Sequence, residues 1–242
     1  MKLIVKEDYM ESSRYLADLF EEVIREKPDA LLGLATGSSP EGLYSCLCED
    51  YQNGKIDLAQ VSTINLDEYA GLPREHDQSF GFYMDRHFFS KVNVREENIH
   101  LINGAGDIQE EIRKYEEYLA AHPIDILVLG IGTNGHIGFN EPEDVFCART
   151  HEVELTEDTI HANARFFESE DDVPRRAVTM GMYGIVNARK IALIASGSSK
   201  ADAIRRLLEN ECADPQLPCS ILHLCPDVSI IVDQKLYESM KS

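Results

Sequence analysis

A chain of 242 residues, 43% of them apolar, can bury a substantial core as one α/β domain or two small ones. Its 43 Asp and Glu against 23 Lys and Arg leave a formal net charge of −20, which argues against nucleic acid or an anionic membrane as the main partner. An anionic ligand must then be captured by local cations and backbone N–H donors.

In chain order, Leu3–Val5 reads as a short opening strand. Ser12 can cap a helix to about Lys27, with Leu16, Leu19, Phe20 and Val23 on one face, and Pro28 ends it. Ala30–Ala35 is a buried strand, followed by Thr36-Gly37-Ser38-Ser39 and by Pro40 in the first turn of the next helix. Val61–Leu66 is a third strand, leading into Asp67-Glu68-Tyr69 and a polar loop to about Gln78. Ser79 starts a helix through about Lys91. Asp107 with Glu110 fits a capping box, with Ile108, Ile112, Tyr115 and Leu119 facing inward.

The apolar run Ile126–Leu129 marks a strand buried on both faces, and glycines at 130, 132, 135 and 138 shape the loop after it. Thr156 opens a helix towards Phe166, Val173–Gly181 is ambiguous, and a helix runs on to Asn187. Lys190–Ala195 is a further strand. Ser196–Lys200 opens a helix with Ala201, Ile204, Leu207 and Leu208 inward, and Val228–Val232 is the last strand. This alternation predicts an α/β fold: a doubly wound, mostly parallel sheet with helices on both faces, modified Rossmann-like, in a single domain over 1–242.

No apolar run approaches membrane-spanning length, and MKLIVKEDY is too short an apolar start for a signal peptide. The six cysteines form no CxxC pair, and Cys46-x-Cys48 falls in a helical pattern rather than a metal site. They read as reduced thiols of a cytoplasmic protein.

Three constellations carry chemistry. Thr36–Ser39 offers backbone N–H groups and three hydroxyls at a helix N-terminus, either as a phosphate cradle or simply as turn geometry. Lys200 stands in a helix's first turn, where the dipole disfavours a cation, which is easiest to understand if an anion binds nearby; the alternative is a solvated lysine. Arg165 is a further candidate cation or a surface salt-bridge partner. Asp67 ends a buried strand as a turn cap or a general base. No histidine cluster accompanies Asp67-Glu68 at a ligand spacing, so no metal is expected. His136, between Gly135 and Ile137 on the glycine-rich loop, has Glu141 close enough to orient its imidazole; it is otherwise a hydrogen-bonded structural histidine. The residues alone describe an acid–base enzyme acting on a small, phosphorylated, polyhydroxylated molecule.

The segments LGLATGSSP (32–40), INLDEYAGLP (64–73), LGIGTNGHIGFNEP (129–142), ANARFF (162–167) and SGSSKA (196–201) together resemble the glucosamine-6-phosphate deaminase (glucosamine/galactosamine-6-phosphate isomerase) family, in the superfamily shared with 6-phosphogluconolactonase. The resemblance implies that Asp67 shuttles a proton between C2 and C1 and that His136 assists ring opening, supported by Glu141 and Asn134. It also implies that Thr36, Gly37, Ser38, Ser39, Arg165 and Lys200 bind the phosphate. It implies no metal or organic cofactor, and a monomer or small homo-oligomer. Asn134 stands where one branch of the family has Asp; it can orient His136 but cannot share a charge with it.

Glu143-Asp144 stand where the family has small residues, which sets the loop's electrostatics or conformation apart. Positions that hold an allosteric amino-sugar phosphate in hexameric members are here Asp144, Val145, His151 and Val153, so no such activation is expected. Residues 143–160 are a candidate lid. Two other readings stand beside the deaminase: a 6-phosphogluconolactonase-type hydrolase, against which the Asp67 motif counts, and a non-catalytic sugar-phosphate sensor.

Overall fold

The computed structural model describes residues 1–157, 160–161, 164, 167, 169 and 172–241. Its strands are β1 (Lys2–Lys6), β2 (Leu31–Leu34), β3 (Ser62–Asn65), β4 (Asp67–Tyr69), β5 (Ile99–His100), β6 (Ile126–Leu129), β7 (His151–Glu154), β8 (Arg176–Thr179), β9 (Lys190–Ala195) and β10 (Val228–Asp233). Seven of them form a parallel sheet in the order β1-β10-β9-β6-β2-β3-β5, flanked by helices. Every residue of β2 and β6 is buried, as strands covered on both faces require. From β2 the chain proceeds outward through β3 to β5; from β6 it proceeds the other way through β9 to β10. The crevice between β2 and β6 is therefore the switch point, where open α/β sheets bind ligands at the strands' C-terminal ends. Gly33 permits that junction: a Cβ there would lie 2.5 Å from Leu127 Cδ1.

The second sheet differs from expectation. Asp67–Tyr69 is a strand rather than a loop, and it pairs antiparallel with β8, which also pairs with β7. Strand β8 resolves the ambiguous stretch 173–181. β7 is a half-buried edge strand of sequence HEVE, too short and polar to announce itself by periodicity. A small apolar cluster of Tyr69, Leu155, Ile160, Val173 and Ala177 covers this sheet, apart from the main core.

The first helix starts earlier than expected, at Tyr9, because Asp8 rather than Ser12 is its cap. The Asp8 carboxylate accepts from Glu11 N at 2.8 Å, while Ser12 is buried inside the helix and donates to Asp8 O. Pro40 occupies the cap position of helix Glu41–Gln52 instead of its first turn. The helix capped by Ser79 stops at His87, and Phe89–Lys91 continues as a single 3₁₀ turn. The expected helix from Thr156 towards Phe166 crosses residues 158–159, 162–163 and 165–166, which lie outside the described residues. All six cysteines are free thiols, and burial raises the pKa of Cys46 and Cys48 in helix Glu41–Gln52.

Candidate active site

Three loops leave the C-terminal ends of adjacent strands β2, β6 and β9 and enclose a cavity of about 1200 Å³. Thr36, Gly37, Ser38, Ser39, Asp67, Asn134, His136, Glu141 and Lys200 all line it, so the structure brings together every predicted site residue among those it describes. Arg165 lies outside the described residues.

The loop after β2 turns at Gly37, whose φ of +93° suits glycine. Two tyrosines hold it, Tyr83 from the cavity wall and Tyr9 from outside the cavity. Tyr83 OH donates to Gly37 O at 2.7 Å, and Tyr9 OH donates to Ser38 O at 2.9 Å while accepting from Gly42 N. These bonds engage the loop's carbonyls and leave its hydroxyls and N–H groups available to a ligand. Lys200 belongs to the loop after β9, which turns at Gly197 (φ +81°) and is tied to β10 by Gly197 N donating to Asp233 Oδ2. Burial lowers the Lys200 pKa, and no carboxylate among the described residues pairs with it. An unpaired, half-buried ammonium beside free hydroxyls is a site for an anion.

The loop after β6 builds the second half. His136 Nδ1 lies 3.1 Å from Glu141 Oε1, close enough for charge pairing although off the axis of a hydrogen bond. Asn134 fixes this pair indirectly: its Nδ2 donates to Glu141 Oε2 at 2.7 Å, and its Oδ1 accepts from His136 N. The sequence suggests that Asn134 orients the imidazole; the structure routes that control through Glu141 and the backbone. Gly132 lets the ring lie flat on the main chain, since a Cβ there would fall 2.5 Å from it.

Asp67 arrives from the small sheet. It is 8% exposed, and no hydrogen-bond donor among the described residues reaches its carboxylate. The nearby phenols are engaged elsewhere: Tyr44 OH donates to Ala35 O, and Tyr115 OH donates to Asn65 O at 2.6 Å. Burial, with a smaller contribution from Glu68, pushes Asp67 up to about 7. A carboxyl poised there accepts protons near neutrality, as a general base should. Thr179 is its cross-strand partner. Gly138 sits against both: a Cβ on it would lie 2.9 Å from Thr179 Oγ1 and 3.4 Å from Asp67 Oδ2.

Sequence reasoning missed Tyr83, Arg86 and the aromatic wall of Phe80, Phe139 and Phe167. The rings of Phe80 and Phe139 stack at 5.9 Å, and both pack against Tyr69. An aromatic residue in a sequence carries no signal that separates a cavity wall from a core. Glu143 and Asp144 are exposed and line no part of the cavity. The Glu143 backbone is pinned instead, its N donating to Pro215 O and its O accepting from Gln216 Nε2.

Comparison with known proteins follows the same lines. The family model described as "Glucosamine-6-phosphate isomerases/6-phosphogluconolactonase" matches residues 6–229. A glucosamine-6-phosphate deaminase of Thermoanaerobacter pseudethanolicus is 48% identical over 237 residues, which cover 97% of this chain and 93% of the relative. One of Clostridium beijerinckii is 45% identical over the full length of both. A solved structure described as a monomeric glucosamine-6-phosphate deaminase superposes with a TM-score of 0.94 at 42% identity, covering 99% of this chain and 100% of that one. A 6-phosphogluconolactonase from Thermotoga maritima reaches a TM-score of 0.77 at 18% identity, over 96% and 99% of the two chains, a likeness of fold alone.

Proposed function

This chain belongs to the family of glucosamine-6-phosphate isomerases and 6-phosphogluconolactonases, and we propose that within it the protein converts glucosamine 6-phosphate and water to fructose 6-phosphate and ammonia. The observation that carries this reading is the buried Asp67 carboxyl, without a hydrogen-bond partner among the described residues, facing the same cavity as the hydroxyl-rich loop and Lys200. A phosphate held at one end positions C1 and C2 of the sugar at the other, so binding energy remote from the reacting atoms orients them.

His136, steadied by Glu141, assists opening of the pyranose ring, moving a proton from the C1 hydroxyl to the ring oxygen. The aldehyde so formed acidifies the neighbouring C2–H. Asp67 takes that proton, giving an enolamine, and returns it to C1, which leaves an iminium at C2. Water adds at C2 and ammonia departs. Protons and water suffice for every step, without metal or organic cofactor. The phosphate is held by Thr36–Ser39 and Lys200, and by Arg165 on the resemblance of its segment. In this reading the enzyme works in the cytoplasm as a monomer or small homo-oligomer, and the solved relative described as monomeric supports the monomer. The test is incubation with glucosamine 6-phosphate and assay of both products. Equal amounts of ammonia and fructose 6-phosphate support the reading. Binding without ammonia release overturns it.

A further inference from the structure

Glu68 is 3% exposed, yet its carboxylate accepts three backbone N–H bonds: Tyr69 N at 2.8 Å, Phe80 N at 2.9 Å and Gly81 N at 2.9 Å. The last two donors open helix Phe80–His87, whose dipole also favours an anion there. That helix carries Tyr83, and Tyr83 OH holds the Gly37 carbonyl. One continuous path of short hydrogen bonds therefore runs from the strand bearing Asp67, through Glu68 and the helix, to the loop with the free hydroxyls. Beside the main-sheet bond from Leu66 N to Leu34 O at 3.1 Å, this path ties β4 to that loop through side chains.

We propose that Glu68 is a positioning residue: its buried carboxylate locks the strand of the proton-transferring Asp67 to the helix that props the anion-binding loop, fixing the separation of the two ends of the substrate. This rests on the reading above. Glu68 is also the charged group adjacent to Asp67 on the same strand. The titratable groups facing Asp67 from other elements are the phenols of Tyr44 and Tyr115, with Tyr69 on its own strand. Burial raises all three, so they stay neutral in the working range. His136, Glu141 and Lys200 face Asp67 across the cavity. Burial raises Glu68 itself to about 7, against its three N–H donors, so its charge is present above that pH.

The variant Glu68→Gln removes the charge, turns an amide N–H towards the Gly81 N–H and loosens the brace. Its expected result has two parts. The acid limb of kcat/KM moves to lower pH by about half a unit or more, because a negative neighbour of Asp67 is gone. KM for glucosamine 6-phosphate rises about tenfold or more, because the loop is no longer propped. Tyr83→Phe cuts the same path at its far end, so it raises KM and leaves the acid limb in place. Glu68→Asp keeps the charge and shortens the reach, so it behaves as Tyr83→Phe does and keeps the test open if Glu68→Gln does not fold. Titration of the Asp67 carboxyl by carbon NMR and the Kd for inorganic phosphate read both arms without turnover. These arms stand even if glucosamine 6-phosphate is not the substrate. A folded Glu68→Gln with the acid limb, the Asp67 titration and phosphate affinity all unchanged overturns the proposal. Unchanged KM and phosphate affinity in Tyr83→Phe also overturns it.

Discussion

The two sheets contribute unlike halves to one cavity. The seven-stranded parallel sheet ends in three loops at its switch point, and these offer a ligand many modest groups: hydroxyls, backbone N–H donors and a lysine set by glycine turns. The three-stranded antiparallel sheet contributes one carboxyl, whose character comes from its burial first and from neighbouring Glu68 second. In the proposed function, binding is thus spread over redundant contacts, whereas proton transfer at C2 depends on a single side chain. Substitutions on the two sides should differ in kind as well as size.

Asp67→Asn is the largest break. It should reduce turnover by about 10⁴-fold or more while leaving sugar-phosphate affinity within a few-fold, measured by kinetics and calorimetry. The same substitution should stabilise the fold, with a definite pH signature. A carboxyl whose folded pKa is about 7, above an unfolded value near 3.9, binds its proton more tightly when folded. The wild type then loses stability as pH rises from about 4 to 7. Asp67→Asn is spared that loss, which is worth up to about 4 kcal/mol at pH 8 and vanishes below pH 4. Thermal unfolding at pH 4 and pH 8 checks it: an equal Tm difference at both would refute the buried-carboxyl account.

On the other side the effects shrink. His136→Gln should slow turnover of the cyclic substrate by roughly 10²–10⁴-fold, and full activity would show that ring opening is not its task. Lys200→Met should raise KM by about 10–100-fold with kcat little changed, as expected for a contact made equally in the ground and transition states. Gly132→Ala should cost about tenfold in kcat/KM, because the added methyl pushes the imidazole off Glu141. At the small end, N-acetylglucosamine 6-phosphate should give no rise in rate at subsaturating substrate, since Asp144, Val145, His151 and Val153 offer no basic groups for its phosphate except the single imidazole.

The same division governs what the sequence discloses. Strands β2, β6 and β9 are buried on both faces, so their apolar runs are legible, and the glycine and hydroxyl loops after them are legible as turns. The small sheet is not. Its strands are three or four residues long, and HEVE has no continuous apolar stretch. Asp67 and His136 stand out because polar residues interrupt apolar or glycine-rich runs. Glu68 does not, because its work is done by accepting bonds from main-chain groups a dozen residues away, which no local pattern encodes. Ser12 and Asp8 illustrate the limit at helix ends: both residue types cap, and only packing decides which one does.

The most direct test of the account follows the hydrogen at C2. Glucosamine 6-phosphate deuterated at C2 should lose or transfer that label to C1 with the wild-type protein as ammonia appears. With Asp67→Asn it should retain the label completely while still binding in the cavity. Loss of the C2 label in Asp67→Asn at a rate near that of the wild type would contradict the assignment of the proton transfer to Asp67.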